Sequence, residues 1–390
     1  MFGYTKNFWS ISFSMFFFTM SFNLVLPEMN TLITDLEGAE LKGWIIGLFT
    51  ISAGLSRPFS GKLADFIGRK KVLLIGVFFS LLICLLYPFA FSVWFLLVLR
   101  FFHGFSTGFF PTGATALVTD ILPDEKRGSG MGVWGTFISL GIGTGQGLST
   151  LFVEQLGQNG LFIVAAITVL ISYALMFAVR ETLLNPVKFH WRLMHIKRDE
   201  ILEPHVAPVA IVMFLSAMCS GIIFVMSPDL STHLNIANKG AFFITYVLAT
   251  ITVRLFTGKL SDTFGRRKLL LIGMLLLTVS MRMIGLADTP ALYMSASVVF
   301  GIATGASSPT IFAWTADLSP DHRRGIGAGT MFIALEFGIF FGAIITNFLY
   351  QNNMENQFIV FLFGAFMAGL TVIYLVWHLI YRPEKPVFIQ

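Results

Sequence analysis

A succession of twelve apolar runs, joined by short polar segments, constrains this chain more than any other feature. A helix needs roughly 20 mostly apolar residues to cross the hydrocarbon core of a bilayer. Such runs fall at about 8–32, 43–63, 72–91, 93–119, 129–153, 160–180, 207–228, 240–260, 269–287, 290–316, 326–349 and 357–379. Lipid offers no partner to a free N–H or C=O, so each run must satisfy its own backbone as a helix. None shows the two-residue alternation of a barrel strand. Only 12% of the 390 residues are charged, where a soluble domain carries about a quarter. So few charges cannot cover a solvated surface. The chain is expected to be an all-α integral membrane protein with twelve transmembrane helices. Its first run lacks a small-residue cleavage site and reads as an uncleaved span.

The basic residues orient these spans. With both termini cytoplasmic, twenty of the 26 Lys and Arg residues lie on the inner side. Lys42 and Lys239 alone lie outside, while Arg57, Arg100, Arg254 and Arg282 fall within spans. That asymmetry is the one expected of inner loops. It also accounts for the net charge of +5, since the excess faces the anionic inner leaflet and implies lipid rather than nucleic acid as its partner. Cys84 and Cys219 stand alone within apolar runs, so neither a disulfide nor a zinc site is indicated. The polar stretch 181–206 holds His190, His195 and His205 without metal-ligand spacing. It reads equally as an interfacial helix or a solvated tether.

The chain repeats itself. The segment Arg57-Pro-Phe-Ser-Gly61-Lys-Leu-Ala-Asp65-Phe-Ile-Gly68-Arg69-Lys-Lys71 matches Arg254-Leu-Phe-Thr-Gly258-Lys-Leu-Ser-Asp262-Thr-Phe-Gly265-Arg266-Arg-Lys268 at an offset of 197. Asp120-Ile-Leu-Pro123…Arg127-Gly128 matches Asp317-Leu-Ser-Pro320…Arg324-Gly325 at the same offset. Pro27-Glu28 meets Pro228-Asp229 four residues out of step. Parallel repeats imply two pseudo-symmetric six-helix bundles about an axis along the membrane normal. The expected units are 1–180, a cytoplasmic linker at 181–206, and 207–390.

The Gly61–Lys71 loop resembles the signature between spans two and three of the major facilitator superfamily. The twelve spans and the second copy extend that resemblance over essentially the whole chain. It implies the major facilitator fold and transport by alternating access, with no cofactor and no enzymatic activity. It also implies that Gly61, Asp65, Arg69, Asp120 and Arg127 form a conformational gate, with Gly258, Asp262, Arg266, Asp317 and Arg324 as its counterpart. Physically, Gly61 and Gly68 permit close approach and a tight turn. Asp65 is placed to accept hydrogen bonds from a helix N-terminus. Arg69 and Arg127 are placed to pair with Asp65 or Asp120.

Ionisable residues inside a membrane default to functional roles. Glu336 lies 12 residues after Arg324, about 18 Å along a helix and near the bilayer midplane. A carboxyl there can carry a proton. The resemblance brings spans two and eleven together, so Arg57 is its expected partner. Arg100-Phe-Phe-His103-Gly104 resembles the family's arginine-centred signature of span four, associated with proton transfer. The equivalents in the second half are Ser297 and Phe300, so this feature is not duplicated. Proton coupling is therefore assigned to Glu336, Arg57, Arg100 and His103, with His103 reading equally as a satisfied hydrogen-bonding group. Arg254 is the span-eight counterpart of Arg57, and Arg282 is expected at the periphery. The resemblance makes Asn23, Glu28, Thr107, Gln146, Asp229, Tyr246, Ser307, Ser308 and Trp314 candidates for the substrate cavity. Such a mixed aromatic and polar lining suits an amphipathic small molecule.

Span five contains Gly132…Gly135…Gly141-Ile-Gly143-Thr-Gly145-Gln146-Gly147, which resembles the family's glycine-rich antiporter signature. That pattern has proline where Gln146 stands, and Ser149-Thr150 replace its closing glycines. Gly130-Met-Gly132-Val-Trp-Gly135 fits a dinucleotide fingerprint, but it follows no strand and opens a membrane helix. No phosphate-loop motif occurs. The leading expectation is a monomeric, proton-coupled exporter of an amphipathic or drug-like molecule in a bacterial inner membrane. A proton symporter, a lipid flippase and a non-transporting receptor are the alternatives.

Overall fold

The computed structural model describes residues 4–123, 127–197, 201–320 and 323–381, without the side chains at 127–129, 255, 258, 259, 262 and 324. Twelve α-helices account for nearly all of it, and there is no strand among the described residues. Helix α1 is Lys6–Val25, capped by the Thr5 hydroxyl, which accepts from the Phe8 N–H at 3.3 Å. Pro27 removes a backbone donor, and the run turns through a 3-10 turn, Leu26–Glu28, into the short α2, Met29–Asp35. Next come α3 (Lys42–Ile67), α4 (Arg69–Leu86), α5 (Val93–Ile121) and α6 (Arg127–Phe177). Helix α6 is two rods that meet at Gly157, where φ is 70° and ψ is 176°. The second half repeats the series with α7 (Ala207–His233), α8 (Ala241–Phe264), α9 (Arg266–Gly285), α10 (Pro290–Leu318), α11 (Arg324–Tyr350) and α12 (Gln357–Tyr381).

The repeated loop has one backbone solution in both halves. Gly68 alone separates α3 from α4, at φ 119° and ψ 143°. Gly265 does the same between α8 and α9, at φ 88° and ψ 143°. A side chain rarely tolerates that region, so glycine is required for so abrupt a turn.

Nine stretches among the described residues are long and apolar enough to cross a membrane, with the two rods of α6 counted together. Ala241–Arg254 in α8 is apolar but shorter. Helix α3 is diluted by Arg57, Pro58 and its serines and glycines.

Packing repeats as well. Helix α1 lies along α6, α3 along α5, and α4 along α5 and α6. In the second half α7 lies along α11 and α12, α8 along α10, and α9 along α10 and α12. The halves meet along two seams, α3 with α11 and α6 with α8. A shared apolar cluster joins Leu24, Val25, Ile45 and Ile46 to Ala217, Val225, Ile339 and Ala343. Lipid tails are as apolar as these side chains, so close packing rather than exclusion from water must hold such an interface.

Glycines show how far the seams extend. On α3, Gly43, Gly47 and Gly54 press against Asn347, Ile344 and Glu336 of α11. On α6, Gly147, Gly143 and Gly135 press against Ile244, Val247 and Arg254 of α8. Further toward the Gly61 end, a Cβ added at Gly61, Gly132, Gly325 or Gly329 would meet no atom of the described residues within 4 Å. Among the described residues, the seams are closed from the Lys42 and Lys239 end down to the level of Arg57 and Arg254, and part beyond it.

The linker is neither the helix nor the free tether that its composition allows. It contains only 3-10 turns among its described residues, Trp191–Met194 and Pro204–Val206. Leu193 is buried with Leu63, Ala64 and Ile67 of α3. The Val187 N–H donates to the Phe66 carbonyl at 2.8 Å, and the Lys62 ammonium donates to the His195 carbonyl at 2.8 Å. An apolar anchor and two backbone contacts therefore strap this segment to the end of α3.

Candidate functional site

At the level where the seams part, Arg57 of α3 pairs with Glu336 of α11, Nη2 to Oε1, at 2.6 Å. Each side chain is 9% exposed. The guanidinium lies over the Phe332 ring at 4.5 Å, and Nη1 donates to the Thr112 hydroxyl at 3.5 Å. Gly54 makes room for the Glu336 side chain. Removing one member of such a pair strands a buried charge and costs roughly 3–5 kcal/mol.

The equivalent of Arg57 is Arg254 of α8, and the equivalent of Glu336 is Ser139 of α6, each 197 residues away. Arg254 Nη1 donates to the Gly135 carbonyl at 2.9 Å and the Ser139 hydroxyl at 3.0 Å. Its Nη2 donates to the Ser308 hydroxyl of α10 at 3.1 Å. Each half thus extends an arginine to the other, but only one meets a carboxylate.

Arg100 and His103 form a separate network inside the first half. Arg100 is 1% exposed, donates to the Ile45 carbonyl at 3.2 Å and the Tyr87 hydroxyl at 3.3 Å, and stacks 4.4 Å from the centre of the Phe49 ring. The Tyr87 hydroxyl bonds His103 Nδ1 at 2.9 Å, and the Ser80 hydroxyl bonds Nε2 at 3.2 Å. Both ring nitrogens are occupied, and none of these bonds reaches Arg57 or Glu336.

Of the cavity candidates, Glu28 and Asp229 are not free carboxylates. Lys239 Nζ pairs with Glu28 Oε2 at 2.6 Å and also donates to Thr31. Lys42 Nζ pairs with Asp229 Oδ2 at 2.6 Å and donates to the Asn352 side-chain oxygen at 2.7 Å. Asn30 and the Tyr350 hydroxyl each donate to Asp229 at 2.9 Å. Both pairs cross between the halves. In the sequence Lys42 and Lys239 look like ordinary loop charges, although they too are separated by 197 residues. That spacing was the available signal.

The remaining cavity candidates divide. Gln146 Nε2 donates to Asn23 Oδ1 at 2.6 Å, tying α6 to α1. Tyr246 packs against Phe300 and Phe243. The Thr107 hydroxyl returns to the Gly104 carbonyl at 2.7 Å. Ser308 accepts from Arg254 and so borders the seam. Ser307 instead faces Gly273 of α9, and Trp314 packs edge-on against His378 of α12. These two turn into the second half, because adjacent positions on α10 point to different neighbours.

At the Gly61 end, Arg69 pairs with Asp65 at 3.1 Å and Asp120 at 3.3 Å. Arg266 pairs with Asp317 at 3.1 Å. Each described cluster stays within its own half. Asp65 does not cap a helix N-terminus: it projects from the last turn of α3, 67% exposed. Glu181 caps α4 instead, accepting from the Arg69 and Lys70 N–H groups at 3.0 Å each. Nothing local marked Glu181, which reaches α4 only through the path of the chain after α6. The side chains of Arg127, Asp262 and Arg324, and the surroundings of Gly258, lie outside the described residues. Near the linker, Glu203 pairs with Arg323 and accepts from His205 Nδ1 at 2.6 Å. The His205 hydrogen bonds lead, with Arg323 adding to them, in holding the Glu203 carboxyl down at about 2.

Residues 11–200 and 209–389 match the Major Facilitator Superfamily. The chain is 26% identical over 319 residues to "Multi-drug resistance efflux pump PmrA homolog" from Lactococcus lactis subsp. lactis (strain IL1403), covering 78% of each chain. It is 25% identical over 383 residues to "Multidrug resistance protein 2" from Bacillus subtilis (strain 168), covering 91% of this chain and 92% of that one. Its fold is similar to that of the human organic anion transporter MFSD10 (TETRAN), with a TM-score of 0.73 at 17% identity, over 95% of this chain and 98% of that one. The chain belongs to the major facilitator superfamily and is a multi-pass membrane transporter.

Proposed function

We propose that this transporter is a proton-coupled antiporter that exports a small amphipathic or drug-like molecule. Its two six-helix bundles, 1–180 and 207–390, would carry twelve spans, with both termini and the 181–206 linker on the cytoplasmic side. On this reading the chain is a monomer in a bacterial inner membrane. The relatives named for multidrug efflux support the direction and the substrate class. The charge asymmetry of the loops supports the orientation.

The observation that carries the reading is the Arg57–Glu336 ion pair across the α3–α11 seam. A carboxylate beside a guanidinium holds the seam, and a protonated carboxyl there holds it far less strongly. Proton arrival at Glu336 would release α11 from α3, and proton loss would draw them together. The opposite seam has Ser139 in place of Glu336, so protonation would act on one seam only. Alternating access then links proton passage to rocking of the halves. The Asp65–Arg69–Asp120 cluster and its counterpart, each retained within one half, would latch the cytoplasmic ends when the cavity faces outward.

Reconstituted proteoliposomes under an imposed proton gradient test this. Export of a lipophilic dye against the proton flow is expected from the native chain, and Glu336→Gln should make residual flux independent of the gradient. Full gradient dependence in Glu336→Gln would reject the assignment. Movement of dye with the protons would identify a symporter instead.

A further inference from the structure

We infer that Arg254 binds an anionic group, a carboxylate in the first instance, on the transported molecule. This rests on the transport reading for its setting between the halves, and narrows the substrate class to amphipathic anions.

Among the described residues, four cations lie along the two seams. Lys42 is held by Asp229, Lys239 by Glu28 and Arg57 by Glu336, each at 2.6 Å. The fourth, Arg254, is held by one carbonyl and two hydroxyls, all neutral. Its Nε is buried without a hydrogen-bond partner among the described residues, as is that of Arg57, so the two arginines differ in their terminal nitrogens, of which only those of Arg57 meet a carboxylate. Hydrogen bonds to neutral acceptors orient a guanidinium without cancelling its charge. Its place in the seam also matters. Gly135 touches Arg254, while an added Cβ at Gly132, one turn away on α6, would meet none of the described residues within 4 Å. Arg254 therefore stands where the α6–α8 seam opens into the space between the halves.

The chemistry selects the ligand. A guanidinium presents N–H donors that match the oxygens of a carboxylate, and Arg254 has one Nη2 hydrogen and the Nε hydrogen left to give among the described residues. The Ser139 and Ser308 hydroxyls can rotate from accepting to donating, so they can join such a contact. Charge attraction is strong where water is scarce. A cationic ligand would be repelled at the same place. The carboxylates able to attract one, Glu28 and Asp229, are engaged by lysines at the closed end.

Equilibrium binding to the purified full chain in detergent provides the test, read by thermal shift and ligand fluorescence. The probes are naphthylacetate, its neutral amide, and naphthylmethylammonium. The native chain should bind the carboxylate at least about tenfold more tightly than the amide, and the ammonium most weakly. Arg254→Gln should erase that preference, and Arg254→Lys should retain much of it. Ser139→Glu provides a second route. It supplies a built-in carboxylate where the other half has Glu336, and should lower carboxylate binding to the level of the amide. Equal binding of carboxylate and amide by the native chain would overturn the inference. So would an intact preference in Arg254→Gln or Ser139→Glu, which would leave Arg254 as a pin between α8, α6 and α10. No gradient is needed for these measurements. Anion preference without proton-driven flux would sink the transport reading alone, whereas proton-driven export of a cation without anion binding would sink this inference alone.

Discussion

Glu203 illustrates how one side chain can secure a chain segment. Its carboxylate is shared by Arg323 and His205, and its N–H donates to the Thr330 hydroxyl at 2.8 Å. These bonds tie the end of the linker to α11. The carboxyl is held at about 2, against an ordinary value of 4.5. A depressed folded value means that the ionised form is the stabilising one. The contribution is complete above about pH 4.5 and is lost as the pH falls toward 2. Thermal unfolding of Glu203→Gln beside the native chain should show a gap that closes as the pH falls between those values. A gap that widened on acidification would show that the carboxylate is not the stabilising species. The residue-scale chemistry was unevenly legible. Glu336 and Arg57 stood out because a charge in an apolar run is costly. Glu181 and Glu203 did not, because acidic residues in a polar stretch carry no mark of what they will touch.

Individual elements depend on backbone geometry as much as on hydropathy. The turn between α3 and α4 consists of one residue, Gly68 at φ 119°. Any side chain there is strained, and an added Cβ would also crowd the Glu181 carboxylate. Gly68→Ala should therefore destabilise the protein by about 1–3 kcal/mol and loosen the Glu181 cap on α4. Differential scanning fluorimetry in detergent reads the first effect, and amide exchange at Arg69 and Lys70 the second. Unchanged melting and exchange would show that the turn can relax. Helix limits followed from the apolar runs, with shifts where local chemistry intervened. Pro27 divided the first run, and Gly157 joined two rods in sequence while bending them in space. The linker differed most. Leu193 is one apolar residue in a polar segment, and its burial depends on a surface that α3 provides only after folding.

For the whole molecule, the closed end is crossed by two ion pairs that exchange partners between the halves. Lys42 reaches Asp229 of α7, and Lys239 reaches Glu28 beside α1. If they act as paired clasps, removing both should favour opening at that end. In a chain with Cys84 and Cys219 replaced by alanine, a cysteine at Ile45, which is 1% exposed, reports access. A membrane-impermeant maleimide should label it roughly tenfold faster when Lys42→Met and Lys239→Met are combined, a shift of about 1.4 kcal/mol. An unchanged rate would show that packing alone holds the end closed.

Helical character, membrane residence and the internal repeat were determined by the sequence alone. Each depends on patterns that are local or strictly periodic: apolar runs, basic loops and a constant offset of 197 residues. Which side chains meet was decided only by the tertiary structure. The α3–α11 and α6–α8 seams bring together residues far apart in the chain, and a rotation of one position on a helix separates Ser308 from Ser307. Ion pairs in a low-dielectric interior also depend on distances of a few ångströms, which no local pattern encodes. Thus Lys42 met Asp229, Lys239 met Glu28, Glu336 found Arg57, and Arg254 met a serine where its counterpart met a carboxylate.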